Sequence, residues 1–198
     1  MSRGEESPAR GPTPPAAHLH VDLAWSSVRP DLLRQPICHQ LLRHWLLSLQ
    51  PELAPRQRSR AYSLGVTITD DATMAALNQT WRHGHGATDV LAFASGQDGP
   101  WLAPGPGEPL ELGDIVITWE TAERQAGASG WSVAQELAWL LSHGLLHLLG
   151  WDHPDDASLA AMLERQILLL EATGQTTIQD RAKVWSLPGN PFANHQST

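Results

Sequence analysis

The segment SHGLLHLLGWDH (142–153) sets His143 and His147 four residues apart in an apolar run, with His153 six residues further on. Four residues is just over one helical turn, so both imidazoles leave a helix from nearly the same face and can grip one metal ion. Gly150 suits the left-handed conformation that closes helices, which lets the chain turn back and offer His153 as a third ligand. Three histidines on a zinc-like ion leave a tetrahedral position open to water or substrate, the arrangement of a catalytic site. As ordinary histidines at a helix end, they would bury imidazoles without partners, at a cost in free energy.

Around this cluster lie other residues with chemical potential. LNQTWR (77–82) followed by TDVLAF (88–93) places Arg82 and Asp89 about a turn, and LGDIVIT (112–118) puts Asp114 in an apolar strand. Asp89 alone reads equally as a turn or cap residue, and Asp114 as a bulge or edge position. Asp152, next to a ligand, is placed to orient an imidazole as an acceptor. The histidine spacing, with Gly150 between, also copies the HExxHxxGxxH pattern of metzincin proteases. Those need a glutamate directly after the first histidine as general base, and Gly144 stands there. A third reading is a metal that only stabilises an assembly module, its fourth position filled by Asp152 or Cys38.

The elements that must position these groups alternate. His18 to Trp25 alternates apolar and polar residues as a half-buried strand does. Leucines at helical spacing mark a helix over 31–49, and Ser63 to Thr69 reads as a strand. Asp70 or Asp71 caps a helix reaching about Trp81. Asp89 to Ala94 is a short strand, 97–109 a Gly/Pro loop, and Leu112 to Thr118 another strand. A polar helix covers 120–128, Ser132 caps a long apolar helix ending at Gly150, and Asp155 or Asp156 opens a last helix to about Ala172. Few, short, unevenly spaced strands among helices indicate an α+β fold, a small mixed sheet covered by helices.

A chain of 198 residues with 41% apolar and 17% charged side chains fits one globular domain, expected at 18–175, between a flexible arm (1–17) and a loosely ordered tail (176–198). The single cysteine rules out an internal disulfide, and no apolar run reaches the roughly 20 residues that span a bilayer. The first 17 residues have no apolar core of a secretory signal, so the expected location is cytoplasmic. A net charge of −8 gives no general basic footprint for nucleic acid. Arginines would have to gather on one face, with Arg56, Arg58, Arg60 and Arg82 as candidates or, for the first three, as plain surface residues.

HGLLHLLGWDH, LNQTWR, TDVLAF and LGDIVIT, in this order over roughly 61–172, resemble the YbeY family of metal-dependent endoribonucleases. The resemblance implies a zincin-like α+β fold and one zinc ion on His143, His147 and His153. It further implies cleavage of single-stranded RNA in maturation of the 3′ end of small-subunit rRNA and in ribosome quality control, with the small subunit or its proteins as partners. Arg82 matches the family's functional arginine, so Arg82 and His143 are the expected catalytic residues. The sequence departs from the family pattern at Trp81 and Trp151, where tyrosine is usual, at Ala92 and Ala94, and in the turn His83-Gly84-His85-Gly86.

Overall fold

The computed structural model describes residues 19–96 and 103–175. The expected arm and tail, His18 and the start of the Gly/Pro loop lie outside the described residues. Four strands, β1 (His20–Ser27), β2 (Ala61–Thr69), β3 (Val90–Ala94) and β4 (Leu110–Thr118), form one mixed sheet in the order β1-β2-β4-β3. β1, β2 and β4 run parallel, and β3 lies antiparallel on the outer side of β4. Among the described residues five α-helices pack around it: α1 (Gln35–Leu49), α2 (Asp71–Arg82), α3 (Trp119–Ser129), α4 (Val133–Leu148) and α5 (Asp156–Ala172). This is the small mixed sheet covered by helices that the sequence implied.

Strand alternation selects the faces. In β2, Tyr62, Leu64, Val66 and Ile68 are buried while the residues between them are only partly covered, so this side carries the main core beneath α1, α4 and α5. Trp45 on α1 crosses that core and donates its indole N–H to the Leu169 carbonyl of α5 at 2.8 Å. On the opposite side a smaller cluster of Met74, Leu91 and Val116 seats α2.

The ends of elements differ from expectation for local reasons. α1 starts at Gln35, not residue 31, because Pro36 has no N–H and is tolerated only in the first turn. β1 runs on to Ser27 because its parallel partner continues to Ile68. The caps follow the sequence: Asp70 accepts from the Thr73 N–H at 2.7 Å, and Ser132 with Gln135, and Asp155 with Ser158, form reciprocal capping boxes. Asp114 sits neither at an edge nor on the irregular pair, since β4 is an interior strand and the register shifts earlier, between Ser63 and Leu64.

α4 lies unusually close to the sheet. A Cβ added at Gly144 would stand 2.7 Å from Ile115 Cγ2, so glycine is what permits this approach. Gly144→Ala should overpack the contact by about 1–3 kcal/mol, more than the ~1 kcal/mol gained in helix propensity. Gly127→Ala in α3, where nothing lies within 4 Å, should instead stabilise. Thermal unfolding of the two variants is expected to move in opposite directions.

Candidate metal centre

The C-terminal part of α4 carries two of the three candidate ligands. His143 and His147 stand one turn apart, with ring centroids 4.6 Å from each other. The helix then closes as the sequence anticipated: Gly150 takes φ +87°, its N–H bonds the His147 carbonyl, and the Trp151 N–H bonds the Leu146 carbonyl. This paired closure turns the chain back on itself. The ring of His153 arrives 5.5 Å from that of His143 and 5.1 Å from that of His147. One nitrogen from each of the three rings lies within 4.8 Å of the others.

The donor set fits a zinc-like ion. Nε2 of His143 and Nε2 of His147 are 3.1 Å apart. Two imidazoles on one tetrahedral ion with Zn–N near 2.0–2.1 Å would stand about 3.3 Å apart. His143 Nδ1 lies 3.3 Å from Gln166 Oε1, and Gln166 Nε2 donates to the Trp139 carbonyl at 2.8 Å, which fixes the amide with its oxygen toward the ring. Nδ1–H then donates to Gln166, leaving Nε2 with its lone pair free for a metal. Burial, helped by His147, pulls the His143 imidazole down to about 4. Burial also lowers His147, assisted by His153 and Arg82 and opposed by Asp152 and a backbone hydrogen bond with Trp151. Neutral rings are the ligand form.

Among the described residues no further His, Cys, Asp or Glu joins this group. Cys38, one suggested fourth ligand, is wholly buried on α1 within the main core, where burial pushes its thiol up to about 12. Asp152, the other, accepts the backbone N–H of His153 at 2.9 Å and so shapes the turn that carries the third ligand.

Arg82 ends α2, exposed, and points Nη2 at the Ala92 carbonyl of β3 at a long 3.4 Å. Its charge is felt at His147, and it makes no ion pair among the described residues. The other candidate arginines diverge. Arg58 donates to the Leu53 and Pro51 carbonyls and is spent on its own loop. Arg56 and Arg60 are exposed on the segment that Gln57 ties to the end of α4 through the Leu149 carbonyl at 2.8 Å. Asp89 serves as the turn residue, accepting from the Val90 N–H and Thr88 hydroxyl.

Two residues went unnoticed in the sequence. Gln166 interrupts the buried face of α5, and a polar residue at a core position was its signal. Glu136 is 3% exposed on α4, and its Oε2 has no hydrogen-bond partner among the described residues. Gln125 donates to Asp89 at 3.1 Å, while its own Oε1 is likewise buried and unpartnered. Burial, reinforced by the charge of Asp89, raises the Glu136 carboxyl to about 7.

A sequence model described as "Endoribonuclease YbeY" matches residues 33–174. Proteins named Endoribonuclease YbeY resemble the chain closely. That of Synechococcus sp. (strain RCC307) is 53% identical over 157 residues, 79% of this chain and 96% of the relative. That of Picosynechococcus sp. is 50% identical over 152 residues, 77% and 91% of the two chains, and that of Nostoc sp. 50% over 131 residues, 66% and 70%.

Two expectations follow from the geometry. His143→Ala or His147→Ala should strip bound metal, since two ligands hold an ion far more weakly than three; elemental analysis of the purified variants checks this. For Glu136, a folded-state pKa above the unfolded one means that its stabilising contribution is present below the unfolded value near 4.5. It is lost as pH rises through about 7. Glu136→Gln, neutral throughout and able to donate to a buried acceptor, should therefore raise the melting temperature at pH 8, by up to about 3 kcal/mol of stability, and change it little at pH 4. Melting curves across that range measure the difference.

Proposed function

This chain belongs to the endoribonuclease YbeY family, and we propose that it is a zinc-dependent endoribonuclease cutting single-stranded RNA, with precursor rRNA at the 3′ end of the small-subunit molecule as substrate. The observation that carries the reading is the triad itself: His143, His147 and His153 converge from a helix end and the following turn, with the cation of Arg82 near enough to act on His147. The ribosomal small subunit or its proteins are the partners in this reading, ribosome quality control is the wider task, and the location is cytoplasmic. No helix among the described residues is long and apolar enough to cross a membrane.

His143, His147 and His153 would hold the ion, which would supply Lewis acidity toward a phosphate oxygen and lower the pKa of a coordinated water. The chain's own residues do the rest. Gln166 holds the His143 ring in one orientation by taking its Nδ1 proton in a hydrogen bond. Arg82 makes no ion pair among the described residues and one long contact to the Ala92 carbonyl, so its guanidinium can take a phosphate through paired hydrogen bonds. There it stabilises the charge that grows on the phosphoryl oxygens in the transition state. Water and the RNA's own 2′-hydroxyl are both chemically available as nucleophiles.

The protease reading loses its support at Gly144. The position that carries the general base in metzincins points its Cβ direction at Ile115 in the sheet, so a side chain there would enter the core.

Arg82→Ala should leave metal content and thermal stability nearly unchanged and lower RNA cleavage by ~10²–10³-fold, as lost transition-state contacts do. Loss of folding without a separate loss of activity would make Arg82 structural. Side by side, the metal-loaded protein should cut single-stranded RNA and spare casein, and His147→Ala should abolish the cutting. Casein degradation dependent on His147, with RNA untouched, would overturn the nuclease reading. Cleavage should fall only shallowly with added salt, because a chain with 13 Lys and Arg and a net charge of −8 offers few phosphate contacts.

A further inference from the structure

Trp81 is the most exposed of the large hydrophobic side chains among the described residues, at 63%. Its ring meets Phe93 in a T-shaped contact, centroids 5.9 Å apart and planes at 70°, which fixes the indole while leaving most of it in water. Phe93 is itself packed against the small Met74, Leu91 and Val116 cluster under α2. The indole therefore has a firm footing without a cover.

Its position relative to Arg82 is informative. Arg82, the next residue, reaches the Ala92 carbonyl, and Trp81 rests on Phe93, the next residue along β3. Successive strand residues are about 3.3 Å apart and present side chains to opposite faces. The ring and the guanidinium thus reach neighbouring points of β3, an edge strand of the sheet. His83 closes α2 at φ +55°, and Asn78 pins the following turn by donating to the Gly86 carbonyl at 3.0 Å. The chain leaves the helix at once, and Trp81 stays uncovered.

A single strand of nucleic acid offers a flat base beside each phosphate, and an aromatic face next to an arginine matches that repeat. We propose that Trp81 is a nucleobase platform: a base adjoining the phosphate held by Arg82 stacks on its indole, whatever that base is. In a duplex the base faces are already stacked on one another, so this contact selects unpaired RNA. The inference rests on the endoribonuclease reading and adds the residue that sets strand preference.

The test compares metal-loaded wild type with Trp81→Phe, Trp81→Leu and Trp81→Ala on single-stranded oligoribonucleotides, with melting curves as controls. An abasic site is moved through the oligonucleotide one position at a time. Trp81→Ala and Trp81→Leu should raise KM about 5- to 150-fold, the span of one lost stacking contact, with kcat little changed. Trp81→Phe should stay near wild type. One abasic position should weaken wild type in the same way and cost Trp81→Ala nothing more. Preference for single strand over duplex should shrink in Trp81→Ala. Wild-type behaviour of Trp81→Leu, or losses that add at every abasic position, would overturn the proposal while wild-type cleavage still stood. Absence of wild-type cleavage would instead remove the endoribonuclease reading beneath it.

Discussion

The close approach of α4 to β4 at Gly144 and Ile115 is the constraint from which the rest of the site follows. It fixes the rotation of the helix about its own axis, because only one residue of the last turn can face the sheet without a side chain. At about 100° per residue, His143 lies roughly 100° to one side of Gly144 and His147 roughly 60° to the same side. Glu136, eight residues earlier, lies about 80° round on that side as well. One contact on one face therefore sets a whole stripe of polar groups along one flank of the helix, where His143 meets Gln166 of α5.

That stripe is polar within an otherwise apolar helix, and the structure handles its two halves differently. At the histidine end, Gln166 supplies a directed acceptor, and burial disfavours the charged form of His143 and His147. At the Glu136 end the same burial favours the protonated carboxyl. Both outcomes lower the number of charges in the interior. Asp152 and Asp89, the carboxylates whose charges act on this stripe, each accept a neighbouring backbone N–H.

The parts of this arrangement visible in the sequence were those governed by neighbours along the chain. The i, i+4 histidines, the closing Gly150 and the caps Asp70, Ser132 and Asp155 are local features, and all stand where the pattern put them. Pro36 held the true start of α1, although leucine periodicity carried the expected helix four residues further. What stayed hidden depends on contacts far apart in sequence. Gln166 meets His143 across 23 residues, and Gln125 meets Asp89 across 36. The interior place of β4 comes from strand order, which periodicity does not encode, so Asp114 could not be placed. Gly144 read as a missing general base, and its packing against Ile115 became visible only with the sheet in place.

The three histidines also differ in what carries them. His143 and His147 are set by a helix whose last turns are locked into the core, whereas His153 comes from the turn beyond Gly150, held by two backbone bonds and the carboxylate of Asp152. Ligands on the more weakly held segment open first. The lifetime of that turn would therefore set how long all three imidazoles face one another, while the helix that carries His143 and His147 stays wound. A change at Asp152 would loosen the approach of His153 to the other two rings with much less effect on the fold.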